Sequence, residues 1–235
     1  MRNLCALIVI AAMLFSLSVA AERKSLKEVD ADAFIADTQV APKGTGDSHL
    51  ALVWWIPNEF WESILSRDAT TSEADKKAML DAMEGVTLLV IVQADITQFG
   101  AMRFYSREEI ERSMVLSFAD GDDTRHALSL VREIDPDLEV ILSIFRPILG
   151  SAMGNLGNNM QFYVLDNKTP SSEALVSPYE KGRIDARLSK RDGSLMEASI
   201  ELPINALFVP RLCPNGREAH ISWKYCPWTG QKLDD

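Results

Sequence analysis

Few residues in this chain have the type and spacing to do acid–base or nucleophilic chemistry. Histidine occurs only at positions 49, 126 and 220, so a serine nucleophile would have to draw its base from three rings. His49 opens a strand-like run, and His126 falls on the outer side of a predicted helix. No G-x-S-x-G elbow, H-E-x-x-H pair or phosphate-cradling glycine loop is present; Gly150-Ser151-Ala152-Met153-Gly154 holds the letters of the elbow in the wrong order. Asp95 ends the most apolar strand-like run, and Glu59 lies beside a tryptophan cluster. Together they form a candidate carboxylate pair for hydrolysis of a sugar or peptide bond. Asp120, Asp122 and Asp123 crowd one turn without calcium-loop spacing or a distal glutamate, which points to capping of a following helix.

Tryptophan gives the other lead. WWIPNEFW places Trp54, Trp55 and Trp61 within eight residues, and Trp223 and Trp228 lie near the end of the chain. Flat aromatic faces bind sugars, quaternary amines and proline-rich peptides. Trp54 and Trp55 point to opposite faces of a strand, and Trp61 shares a helix stripe with Ile64 and Leu65. Most of the set is therefore expected in the core. Trp55, Trp61 and Trp228 are the binding candidates, with Trp55 or Trp228 the expected exposed exception. The glycine- and asparagine-rich stretch from Met153 to Met160 is a second candidate surface.

The meaning of the cysteines depends on compartment. Residues 1–20 read as a signal peptide: Arg2, an apolar run from Leu4 to Phe15, then small residues ending Ser18-Val19-Ala20. Its removal takes away Cys5 and Arg2, leaving Cys213 and Cys226 and a net charge of −11 in place of −10. Two cysteines in an oxidising compartment are most simply one disulfide. No later run is long and apolar enough to span a bilayer. Asn167-Lys168-Thr169 is a glycosylation sequon, of consequence only on a eukaryotic secretory route.

Cys213-Pro214-Asn215-Gly216 and Cys226-Pro227-Trp228-Thr229-Gly230 resemble a degenerate pair of zinc-ribbon knuckles, each missing its second cysteine. The resemblance covers residues 212–233 alone. It implies a ribbon-like hairpin whose leading sulfurs lie close enough to bond. An alternative keeps a metal on Cys213, His220 and Cys226.

The elements that must position these residues read as α+β, with a mixed, largely antiparallel sheet, flanking helices and a C-terminal β-hairpin or ribbon-like element. Residues 21–48 form a lead-in segment, 49–180 an α+β domain, and 181–235 a β-rich part packed on the same domain. Strands are expected over HLALVWWI, VTLLVIVQADIT, AMRFY, MVLSF, EVILSIF and MQFYVLD. Helices are expected over NEFWESILSR, over TSEADKKAMLDAMEG capped by Ser72, over SREEIERSM with a Ser106/Glu109 capping box, and over TRHALSLVREI.

In RIDARLSKRDGSLMEASIEL a two-residue loop would mix buried and wet faces. A three-residue loop, Arg191-Asp192-Gly193, pairs Leu188 with Met196, Ala186 with Ala198 and Ile184 with Ile200, and sets Arg187 against Glu197.

Charge is uneven: residues 22–180 carry 14 basic and 27 acidic side chains, and residues 181–235 carry 9 and 7. An acidic body disfavours nucleic acid and anionic lipid. The reading from sequence is an exported, non-enzymatic binding or envelope-associated protein without cofactor, its partner an unidentified protein or small molecule. The alternative is the carboxylate hydrolase.

Overall fold

The structure, a computed structural model, describes residues 21–233, without the side chains of residues 149, 150 and 152. The expected signal peptide lies outside the described residues. The chain is α+β, and every strand pairing among the described residues is antiparallel.

The run VTLLVIVQADI forms β3 (Val86–Ile96), buried from Thr87 through Ala94. Its β-branched and apolar residues suit a strand covered on both faces. β2 (His49–Ile56) pairs along one side of it, and β1 (Gln39–Val40) lies outside β2. The other side of β3 is shared by β7 (Gln161–Asp166) and β4 (Met102–Phe104). A second sheet runs β6–β5–β8–β9, from Arg125–Ala127, Val115–Ala119, Gly182–Ser189 and Leu195–Leu202. The two sheets touch at their edges, where Lys43 and Glu197 exchange both backbone hydrogen bonds at 2.7 and 3.2 Å.

Helix α1 (Ala31–Thr38) packs on β2, α2 (Asn58–Leu65) lies against α1 and α3 (Glu73–Ala82), and α4 (Arg107–Ser113) contacts β8 of the second sheet. Ser72 caps α3 by accepting from the Asp75 amide, and α4 carries the full Ser106/Glu109 capping box. Phe34, Trp55, Leu89, Ile91, Tyr163 and Leu165 lie at the centre of the core.

Two segments depart from the sequence expectation. EVILSIF is helix and not strand: α5 runs Pro136–Met153, and the glycine-rich link continues it into α6 (Asn155–Asn158). Asp135 accepts from the Asp137 amide and Pro136 sits in the first turn, a start signal that outranks the β-branched composition. Leu138, Ile141 and Leu142 are buried at helical spacing, while Val140, Ile144 and Ile148 remain exposed.

TRHALSLVREI is extended and not helical. After β6, Leu130 bridges Leu165, Val131 donates to the Val164 carbonyl at 2.8 Å, and Asp166 donates to Ser129 at 3.0 Å. A helix there would leave the outer edge of β7 unpaired, and satisfying that edge prevails over periodicity. No helix therefore follows the aspartate turn; Asp120 instead accepts from the Asp122 and Thr124 amides.

The β8–β9 hairpin has the expected three-residue loop and register, Leu188 opposite Met196 through Ile184 opposite Ile200. Gly193 closes the loop at φ +85°, with nothing within 4 Å of where a Cβ would stand. Gly193→Ala is therefore expected to cost about 1 kcal/mol from backbone strain alone. The check is a lower urea midpoint with an unchanged slope.

Candidate functional site

Period-two alternation in β8 and β9 sends Ile184, Ala186, Met196, Ala198 and Ile200 inward, and Arg183, Asp185, Arg187, Glu197, Ser199 and Glu201 outward. On the outer face the charges pair with one another. Arg183 Nε meets Asp185 Oδ1 at 2.8 Å, Arg187 Nε meets Glu197 Oε1 at 3.1 Å, and Arg125 lies 3.5 Å from the other Asp185 oxygen. Ser199 Oγ also donates to Asp185 at 2.8 Å. Burial pushes the Asp185 carboxyl upward, but the bonds from Arg183 and Ser199 outweigh it and hold the group below the usual carboxylate range. This face floors a trough of about 420 Å³.

Arg183 and Glu201 also line an adjoining cavity of about 700 Å³, with Asp120 and Lys181 on one wall and His220 and Trp223 on the other. That second wall is the terminal segment. Strands β10 (Arg211–Leu212) and β11 (Glu218–Ala219) pair there, and Cys213 and Cys226 form a disulfide with Cα atoms 5.7 Å apart. Cys213, Ala219, Cys226 and Leu233 make a small apolar cluster of their own. Asn205 Oδ1 accepts from the Ile221 amide at 2.8 Å and joins the segment to the body, while the Arg211 guanidinium, on β10, donates to the carbonyls of His220 and Ile221 and ties the segment together.

Trp223, Tyr225 and Trp228 are exposed on this segment, at 38, 60 and 46 %. Trp228 packs edge-on to Trp223 with ring centroids 5.9 Å apart, and the Arg217 guanidinium lies over the Trp228 ring. Trp55 and Trp61, the other two candidate platforms, are 1 and 4 % exposed and belong to the core. β2 is buried from Val53 through Ile56, and Trp61 of α2 packs against Phe145 of α5, so neither ring offers a platform. In the Met153–Met160 stretch a break at Gly154, φ +57°, is followed by the single turn of α6 and by a turn at Asn159.

His220 stands at the junction of this cavity and a smaller one of about 260 Å³ shared with Asp37 and Asn205. Its Nδ1 accepts from the Ser222 amide and lies 2.7 Å from Ser222 Oγ. Burial lowers the His220 pKa and raises that of Asp37, whose carboxylate also accepts from the Ala206 amide.

The sulfurs of Cys213 and Cys226 are bonded to each other and not to a metal. Among the described residues no group of three or more His, Cys, Asp or Glu could hold an ion. With both thiolates consumed and the His220 ring turned to Ser222, the Cys213, His220 and Cys226 site does not form. The zinc-ribbon resemblance of residues 212–233 is thereby overturned.

The carboxylates Asp95 and Glu59 are not neighbours. Asp95 is opposite His49 at the start of β2 and Glu59 follows its end, about 24 Å away at ~3.4 Å per residue. Glycosidic hydrolysis by two carboxyls needs a spacing of roughly 5–10 Å. Asp95 instead binds His49 Nδ1 and the Tyr105 hydroxyl, each at 3.0 Å, and Arg191 at 2.5 Å. The His49 ring is buried and its Nε2 has no partner among the described residues, so no hydroxyl stands within reach to be activated. His126 binds Asp120 at 3.0 Å and stacks on Phe118. The Asn167 side chain exchanges two bonds with the Val176 backbone, donating from Nδ2 and accepting at Oδ1.

Of the two tryptophans expected to be the exposed exception, Trp228 is exposed and Trp55 is not. The alternation that sets the hairpin register also pairs Arg183 with Glu201 and Arg187 with Glu197 on the outer face, but nothing in the sequence marks that face as a site, and it leaves Lys181 and Asp185 unremarked. No family model, no curated protein and no solved structure matches this chain.

Proposed function

We propose that the mature chain is an exported, non-enzymatic binding protein whose ligand lies in the trough between the outer face of β8–β9 and the disulfide-closed terminal segment. The observation that carries this reading is Trp223. A large apolar side chain is held exposed at a cavity lined by charged groups, on a segment that the disulfide and Arg211 tie together and Asn205 joins to the body. Exposed aromatics beside convergent polar groups characterise ligand sites. Export is supported by the disulfide and by the leader-like first twenty residues. No helix among the described residues is long and apolar enough to cross a membrane.

Thermal unfolding of the mature protein against a mixed panel of metabolites, oligosaccharides and peptides tests the reading. At least one compound should raise the melting temperature in a dose-dependent way, and Trp223→Ala should abolish that rise. A panel without a hit, or a hit indifferent to Trp223, would count against it.

A further inference from the structure

The trough also specifies a ligand class, an inference that rests on the binding reading above. We propose that the ligand is an uncharged, hydroxyl-rich chain, an oligosaccharide, laid along the outer face of β8 and β9 with one ring stacked on Trp223.

Charge supports this first. The body of the protein is strongly acidic, yet the trough is balanced: Lys43, Arg125, Lys181, Arg183 and Arg187 stand against Asp120, Asp123, Asp185, Glu197 and Glu201. Several of these neutralise each other directly, at 2.8 to 3.5 Å. A ligand of either net sign would meet attraction and repulsion in similar measure. What paired guanidinium and carboxylate groups retain is hydrogen-bonding capacity, donors beside acceptors at short spacing. A sugar hydroxyl both donates and accepts, and so matches such an alternating surface better than a phosphate or an ammonium does.

Shape supports it next. The trough and the larger cavity adjoin at Arg183 and Glu201, which line both. Arg183 to Arg187 alone spans about 13 Å of strand, so the surface suits a chain more than a single ring. At the far end Trp223 offers a flat face, steadied edge-on by Trp228 at an interplanar angle of 70°. The C–H face of a pyranose is the apolar surface that such a face takes, as with other ring-on-indole contacts.

An extended peptide is the chief rival, since peptides add to open strand edges. The edge of β9 is already closed at Glu197 by the backbone of Lys43. What opens to solvent is the side-chain face.

Isothermal calorimetry on the mature protein decides the matter. The probes are cellohexaose and chitohexaose as uncharged chains, a polygalacturonate hexamer and a chitosan hexamer as charged ones, and end-blocked penta-alanine. At least one uncharged hexamer should bind. Trp223→Ala should weaken that binding roughly tenfold or more, and Trp223→Phe, which keeps a flat face, should restore most of it. Binding of a charged hexamer or of penta-alanine without an uncharged hexamer overturns the ligand class and leaves the binding reading intact. Uncharged binding that survives Trp223→Ala overturns the placement. Silence from all five probes overturns the inference; the binding reading falls with it only if the broad thermal panel is silent as well.

Discussion

Arg191→Met is expected to lower the unfolding free energy by about 2–3 kcal/mol, the largest loss from any single side chain outside the apolar core. Arg191 sits in the β8–β9 loop, and its guanidinium reaches back beneath the first sheet. It binds Asp95 at 2.5 Å and Glu109 at 2.8 and 2.9 Å, and it donates to the carbonyls of Arg103 and Phe104 on the outer edge of β4. The Arg191 Cζ lies 3.8 Å from the centre of the Tyr105 ring, and the Tyr105 hydroxyl accepts from the Arg191 backbone amide. One side chain thus ties the second sheet to β3, β4 and α4 and closes a strand edge that would otherwise stay open. The carboxylates are about one-third exposed, which keeps the figure below that for a fully buried pair. Arg191→Lys should recover little, since a point charge cannot serve two carboxylates and two carbonyls at once.

The effect should depend on pH in one direction. Bonds from Arg191 first, and the Ser106 amide second, hold the Glu109 pKa down to about 2. Burial pushes Asp95 up, but Arg191, Tyr105 and His49 together bring it below its ordinary value. A depressed carboxyl contributes stability above its unfolded pKa and loses it as pH falls through the folded value. The difference between wild type and Arg191→Met should therefore be full at pH 7 and shrink between about pH 4.5 and pH 2. Urea titrations at several pH values measure it. A difference that grows on acidification would show that these carboxylates are not what Arg191 stabilises.

The same residue shows how far the sequence could be read. The register of β8 and β9 followed from inward pairs such as Leu188 with Met196, because a slip moves every side chain to the wrong face. That argument placed Arg191 in the loop and went no further. Its partners lie 82 and 96 residues away in sequence, a separation that no local pattern encodes. The capping signals at Ser72 and Ser106 were legible for the opposite reason: cap and capped amide are three residues apart. EVILSIF misled because Val140 and Ile144 suggest a strand, whereas the Asp135-Pro136 start and the burial of Leu138, Ile141 and Leu142 decide for a helix. The candidate site was only half visible. Its aromatic wall lies in one short stretch, but its floor is the outer half of an alternation whose charges, such as Arg187 against Glu197, read as cross-strand pairs and carry no local mark of a site.

Removing the disulfide through Cys213→Ser with Cys226→Ser is expected to release the terminal segment while the body stays folded. Sequence separation of 13 closes a loop whose chain-entropy contribution is about 3 kcal/mol. Besides the disulfide within it, the Asn205 bond and the packing of Ile221 on the main core join the segment to the body. Its own apolar cluster is Cys213, Ala219, Cys226 and Leu233, and a core of that size does not offset the entropy of ordering some twenty residues. The body keeps a continuous core from Val29 to Phe208 that does not include those four residues. Loss should therefore be local, an opening of low-stability structure and not global unfolding. The main melting transition should move by no more than a few degrees. Trypsin should cut at Arg217 and Lys224, where the oxidised protein resists. Trp223 and Trp228 should lose their edge-on contact, with a red shift of their fluorescence, and any ligand of the trough should bind far more weakly. Since Cys213 and Cys226 are 3 and 1 % exposed, a reductant under native conditions should act only as fast as the segment opens. A double variant that kept both trypsin resistance and ligand binding would mean that Arg211 and Asn205 suffice to hold the wall, and that the covalent link serves some other end.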